Sequence, residues 1–189
     1  MNSQHLVIAG GAVAFLAFLA KTDPTVATSS PSTTPKGLTI TEAEALGLIM
    51  ANKLAYPALL GGLPESVVMA TIAMESNFDP NAVAPAGERG LMQVIYPGTW
   101  NDVLKRARLP VDLDSFEAKD NILVGMAYLR LVKDELGKAG LLDGTATDWV
   151  KIDQAYNIGP AAFRRGKSNQ PRIGKFLLAR EKYQRAGLP

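Results

Sequence analysis

A mainly α-helical single domain is what this sequence predicts, on three observations. Apolar residues recur at helical spacing behind recognisable helix starts. No run alternates convincingly with a strand period. And 189 residues, 47% apolar and 20% charged, match one compact domain with some excess chain.

The excess lies at the N-terminus. Leu6 to Ala20 carries no charge and is closed by Lys21. As a helix it spans about 22 Å, short of the ~30 Å hydrocarbon core of a bilayer. A short membrane anchor and a signal-peptide core therefore both fit. Met1–His5 holds no Lys or Arg, and Phe18 stands at −3 of a cut after Ala20, which favours an uncleaved anchor over residues 1–21; a cut after Ala27 remains open. Residues 22–36 (TDPTVATSSPSTTPK) are dominated by Thr, Ser and Pro. They bury too little to fold and read as a tether. The folded domain is then expected over residues 37–189.

Within it, Thr41 followed by Glu44 forms a capping box that opens a helix running towards Leu54. Pro64 and Glu65 suit the first turn of the next, ESVVMATIAMES. Asn77-Phe-Asp-Pro80 stops that helix, and Asn81 to Arg89 reads as loop, with at most a small hairpin in the 81–95 region. Further helices are expected over Pro97 to Arg106, Phe116 to Leu136 and Asp148 to Tyr156. A short turn or helix opens at Pro160, and a basic helix from Pro171 to Arg185 closes the chain.

Charge divides the domain. Residues 37–159 hold 10 Lys+Arg against 16 Asp+Glu, whereas residues 160–189 hold 8 Lys+Arg against the single Glu181. Either the two blocks pair inside one fold, or the basic segment faces a polyanion such as anionic lipid or a wall polymer. Nucleic acid is the weaker choice of polyanion, because Phe163 and Phe176 are too few to make a stacking surface.

Composition also limits the chemistry. Cysteine is absent, which excludes disulfides, thiolate zinc sites, a cysteine nucleophile and a lipidated cysteine. The one histidine, His5, stands beside the hydrophobic segment. A histidine-dependent triad or a multi-histidine metal site is thereby excluded. Carboxylates, hydroxyls, lysine or tyrosine must do the work.

Glu75 is the carboxylate of interest. Val68, Ile72 and Glu75 fall at i, i+4 and i+7 on one helix face, so the carboxyl leaves an apolar stripe where the helix stops. Partial burial raises a carboxyl pKa, which suits a general acid near neutral pH. A solvated Glu at a helix end shows the same spacing, so the pattern alone leaves both open.

The neighbouring residues add a resemblance. Glu75-Ser76-Asn77-Phe78-Asp79-Pro80-Asn81-Ala82, then Gly87, then Gly90-Leu91-Met92-Gln93, then Pro97 and Thr99, and later Ala155-Tyr156-Asn157-Ile158-Gly159-Pro160 stand in order. So do Asp120-Asn121-Ile122, Gly125 and Tyr128-Leu129 in the long middle helix. Over about residues 60–165 the chain closely resembles the catalytic domain of the soluble lytic transglycosylases, a family with the goose-type lysozyme fold that cleaves peptidoglycan.

The resemblance implies a lysozyme-like domain of the α+β superfamily, mainly helical, that uses a single acid/base, Glu75. It implies that Ser76 holds the helix end and that Gln93 and the Leu91–Met92 backbone line the glycan cleft. It further implies that Tyr156 approaches the Glu75 carboxyl and that Asn157 contacts sugar or braces the Tyr156 loop. Phe78, Ile122, Tyr128 and the Met92 side chain read as core. Peptidoglycan strands would be the substrate, cut at the MurNAc–GlcNAc bond with 1,6-anhydromuramic acid formation and with no metal or cofactor needed. The domain would face the periplasm or cell wall from a membrane anchor at residues 6–20, in a bacterial envelope or a bacteriophage virion.

Two departures from the family pattern stand out. Ala84 replaces a commonly found Ser, and Glu88-Arg89 stand where small residues are preferred. Both touch subsite affinity. A hydrolytic muramidase using Asp79 or Glu88 to activate water is an alternative, although Asp79 more simply caps its turn and Glu88 pairs with Arg89 at the surface. A non-catalytic wall-binding module is another alternative, against which Glu75 and Tyr156 together argue.

Overall fold

A computed structural model describes residues 40–189. The hydrophobic segment, the tether and the first residues of the expected domain lie outside the described residues. Among the described residues no helix is long and apolar enough to cross a membrane.

Eight helices and one minimal hairpin make up the described chain. Helix α1 (Glu42–Ala55) opens on the expected capping box: the Glu44 N–H donates to Thr41 Oγ1 at 3.1 Å, and the Thr41 N–H donates to the Glu44 carboxylate at 2.7 Å. A short α2 (Pro57–Leu60) follows, begun by Pro57, whose fixed φ suits a first helical turn. This helix adds to those expected from the sequence. Helix α3 (Glu65–Glu75) ends at the residue of interest. Strands β1 (Glu88–Arg89) and β2 (Val94–Ile95) pair antiparallel, Glu88 opposite Ile95 and Arg89 opposite Val94. The remaining helices are α4 (Gly98–Ala107), α5 (Ala118–Lys138), α6 (Asp148–Ile158), α7 (Pro160–Arg164) and α8 (Gln170–Arg185). Each falls within a few residues of its predicted span.

The 21-residue α5 is the central strut, and α1, α4 and α6 pack around it. Its inner face buries Ile122, Met126 and Leu129. Helix α3 lies chiefly against α8. It is almost wholly internal, Ser66 to Ile72 all being buried, so its last residue is carried to the edge of the core.

The basic closing segment is tied into the acidic body. Arg164 meets Glu135 at 3.2 Å, Lys182 meets Glu42 at 2.5 Å, and Arg172 reaches Glu75 and Asp153. For these three cations, pairing inside one fold is the arrangement observed. The exposed pairs contribute little individually. Arg172 is a different case, because it is buried.

Candidate active site

Glu75 projects from the last turn of α3 into a cleft of about 230 Å³. Glu88, Gln93, Tyr128, Tyr156 and Asn157 also line it. The helix stops there for a local reason: Asn77 and Phe78 take φ of 49° and 65°, a left-handed turn no α-helix can continue through. Phe78 is buried beneath it, as expected.

The Gly90–Gln93 loop faces Glu75 and is held from three helices. From α3, the Ser76 hydroxyl donates to the Leu91 carbonyl at 2.8 Å. From α5, Asn121 accepts the Met92 N–H at 2.8 Å and donates to the Arg89 and Ser115 carbonyls at 2.9 and 2.8 Å. From α6, the Tyr156 hydroxyl donates to the Met92 carbonyl at 2.6 Å. Close packing completes the seat. A Cβ on Gly90, whose φ is +70°, would fall 2.4 Å from Asn121 Nδ2, and one on Gly125 would fall 2.4 Å from Met92 Sδ. Glycine is required at both positions by direct approach.

Several expected residues take up different detailed contacts. Tyr156 lines the cleft with Glu75, but its hydroxyl is committed to Met92 and not to the carboxyl. Burial pushes that phenol well above its ordinary range, with the Glu75 charge adding to the rise, so it is a neutral donor. The Met92 side chain is fully buried, as expected, and its N–H and carbonyl both point to protein partners. Met92 thus shapes the cleft wall from behind and stands outside the lining. Gln93 lines the cleft, while its amide nitrogen donates to the Ala82 and Gly90 carbonyls, both at 2.9 Å. Asn157 lines it too, and its side-chain oxygen accepts from Asn169 at 3.0 Å. Tyr128, expected in the core, is a wall of the cleft, its ring 4.9 Å from that of Tyr156. Ile122 is core, as expected.

Glu88 and Arg89 separate because adjacent strand positions face opposite ways. Glu88 lines the cleft, where its carboxylate accepts the Ala86 N–H at 3.0 Å. Arg89 turns away, its guanidinium 4.1 Å from the Tyr96 ring centre and 5.3 Å from that of Phe116. The expected Glu88–Arg89 surface pair is not formed. Asp79 behaves as the sequence suggests, capping its turn through the Asn81 N–H at 2.9 Å.

Two residues at the site, Arg172 and Asp153, are not among those the sequence points to. Arg172 of α8 donates through Nη2 to Glu75 Oε1 at 2.8 Å. It also grips Asp153 of α6 with two bonds of 2.8 Å, from Nε and Nη2. Side-chain exposures are 6% for Arg172, 1% for Asp153 and 13% for Glu75, so this is an internal cluster. Burial pushes the Glu75 carboxyl up to about 7; Arg172 opposes the rise, and Asp153 and Glu88 add to it. Burial also raises the Asp153 carboxyl, against the pull of Arg172. A sequence signal did exist: Arg172, Phe176 and Tyr183 share the buried face of α8, and an arginine in an apolar stripe needs an internal partner.

Chemically, the arrangement offers one carboxyl able to hold or release a proton near neutrality, in a polar cleft large enough to admit part of a chain molecule. Among the described residues no cluster of three or more His, Asp or Glu side chains forms a metal cradle.

The family profile described as "Transglycosylase SLT domain" matches residues 55–178. The membrane-bound lytic murein transglycosylase C of Actinobacillus succinogenes is 31% identical over 122 residues, 63% of this chain and 34% of that protein. Its namesake in Mannheimia succiniciproducens is 34% identical over 107 residues, 55% of this chain and 29% of that protein. The chain therefore spans about a third of the length of the curated relatives it matches. Among solved structures, the 70-kDa soluble lytic transglycosylase of Escherichia coli aligns with 71% of this chain and 18% of its own, at 24% identity and a TM-score of 0.47.

Proposed function

The chain belongs to the transglycosylase SLT family, and from that premise we propose that it is a peptidoglycan lytic transglycosylase in which Glu75 is the single acid/base. The observation that carries the reading is the position of Glu75. It is a carboxyl only 13% exposed, raised to about 7, at the wall of the cleft and at the end of a helix whose preceding turns are buried. A carboxyl that is half protonated near neutrality can donate and then accept within one turnover.

The reaction runs in two steps. Protonated Glu75 donates to the oxygen joining N-acetylmuramic acid to N-acetylglucosamine, and the bond from that oxygen to the muramoyl C1 breaks. The substrate's 2-acetamido oxygen supports the developing cation. Ionised Glu75 then takes the proton of the muramoyl C6 hydroxyl, whose oxygen bonds to C1 and closes a 1,6-anhydro ring. The proton returns to Glu75 and no water is consumed. Gln93, Tyr128, Tyr156 and Asn157 form the walls that position the sugars, and Ser76 and Met92 fix the loop that carries Gln93.

Glycosidases that hydrolyse use a second carboxylate to activate water. The presence of Glu88 on the cleft wall makes it the group such a reaction would need; Asp79 is engaged in its turn. Mass spectrometry of fragments released from purified peptidoglycan separates the two. We expect ends lighter by one water, the 1,6-anhydro form. Reducing ends as the main product would establish hydrolysis and direct attention to Glu88.

The relatives are named as membrane-bound enzymes. Together with the uncharged run at residues 6–20, this supports a membrane-associated location on the wall side. Nothing among these relatives favours a virion. Fractionation of the full chain and of a chain lacking residues 1–21 tests the location, the full chain being expected with the membrane.

A further inference from the structure

We propose that Arg172, clamped by Asp153, is a positioning residue for Glu75: it occupies Oε1 and leaves Oε2 as the oxygen that exchanges its proton with the substrate. The inference rests on the acid/base reading of Glu75.

The geometry argues for it directly. A carboxyl has two oxygens, and an acid/base that serves two steps needs the same one presented each time. Arg172 Nη2 holds Oε1 at 2.8 Å. Among the described residues Oε2 has no hydrogen-bond partner, and Glu75 lines the cleft. Arginine can only donate, so it binds Oε1 as an acceptor in both protonation states and directs the acidic proton to Oε2.

Asp153 supplies both aim and balance. Its two bonds fix the plane of the guanidinium, a bidentate geometry that lysine would not reproduce. Its charge also neutralises Arg172. With Glu75 protonated the three-residue cluster is neutral; with Glu75 ionised it carries one negative charge. An arginine without Asp153 would favour the ionised form and leave no acid for the first step. Asp153 without the arginine would repel the ionised form and hinder the second. The pair lets Glu75 visit both states.

The other titratable groups facing Glu75, among the described residues, are Tyr156 of α6, Tyr128 of α5 and Glu88 of β1. Burial raises the Tyr128 phenol to about 12 and Tyr156 higher than its ordinary range, so both stay neutral near pH 7. Glu88 remains unaltered in every variant below.

The test is the pH dependence of kcat on soluble peptidoglycan fragments, with a ¹³C-carboxyl NMR titration of Glu75, on the full chain. Asp153→Asn is nearly isosteric and leaves the arginine uncompensated, so the alkaline limb and the NMR midpoint should move down by about one pH unit. Arg172→Met should move both up, with kcat lower by about 10²-fold as Oε1 loses its anchor. Because this variant strands a buried Asp153, Arg172→Met/Asp153→Leu replaces the pair with apolar groups, a change folds often tolerate; it too should raise the midpoint. Arg172→Lys should hold the midpoint near the native value while kcat stays low.

Midpoints that stay within about 0.2 unit of native in Asp153→Asn, or that move the same way in Asp153→Asn and Arg172→Met, overturn the proposal. Native activity in Glu75→Gln would instead remove the acid/base reading, while the NMR midpoints would still report whether the clamp sets the Glu75 carboxyl.

Discussion

Tyr156 donates its hydroxyl to the carbonyl of Met92 at 2.6 Å, joining two residues 64 positions apart in the chain. Through this bond α6 fixes the back of the loop whose front presents Gln93. The resemblance placed Tyr156 at the Glu75 carboxyl; its ring is indeed at that wall, but its polar atom serves the backbone. Tyr156→Phe therefore leaves a buried carbonyl unpaired and should cost about 1–2 kcal/mol in chemical denaturation. The alkaline limb of the pH profile should stay near its native position, with the loss of activity carried by a loosened loop. A limb displaced by a full unit would restore the direct role in Glu75 protonation.

The pH dependence of catalysis follows from the raised Glu75 carboxyl. The first step of the proposed reaction needs the protonated acid, and burial raises its pKa to about 7. The rate should therefore fall above about pH 7, tenfold per unit. A carboxyl of ordinary pKa would place that fall near pH 4.5, so a profile descending there removes burial as the tuning device.

Glu75→Gln should lower turbidity clearing of cell walls by at least about 10²-fold, since the proposed reaction gives both proton transfers to this one group. Its stability should show the opposite sign. A folded carboxyl near 7 against about 4.5 unfolded favours the folded state below pH 4.5, and this advantage is lost as pH rises through 7. The loss amounts to about 3 kcal/mol. The glutamine variant is spared it, so its Tm should exceed the native Tm increasingly from pH 5 to pH 8. Parallel curves would mean that Glu75 is not held in its neutral form by the fold.

Asn121 is buried, and its side chain satisfies one N–H and two carbonyls around the cleft loop. Asn121→Leu orphans all three. We expect a loss of about 3 kcal/mol, a fall in Tm of roughly 10 °C, and reduced activity at temperatures where the variant is folded. Unchanged stability would show that water or a relaxed loop replaces the amide at little cost.

The sequence by itself determined the helices other than the short α2, because their signals are local. Thr41 and Glu44 are three residues apart, Val68, Ile72 and Glu75 lie within two turns, and proline or left-handed residues mark the stops. The resemblance of an ordered run of residues to a known family also pointed to Ser76, Gln93, Tyr156 and Asn157 beside Glu75, because such a run is legible without coordinates. What only the tertiary structure decided is where polar atoms point and which distant charges meet. Met92 stands in the Gly-Leu-Met-Gln run, yet its place is behind the cleft wall, since both backbone polar groups are taken from α5 and α6. Glu88 and Arg89 read as one charged step until the strand pleat sent one to the cleft and the other onto aromatic rings. Arg172 looked like one of eight cations in a basic tail, 97 positions from Glu75. No sequence period encodes that meeting. It arises because α8 packs on α3 and buries the face that carries Arg172, and a buried guanidinium is stable only where carboxylates receive it.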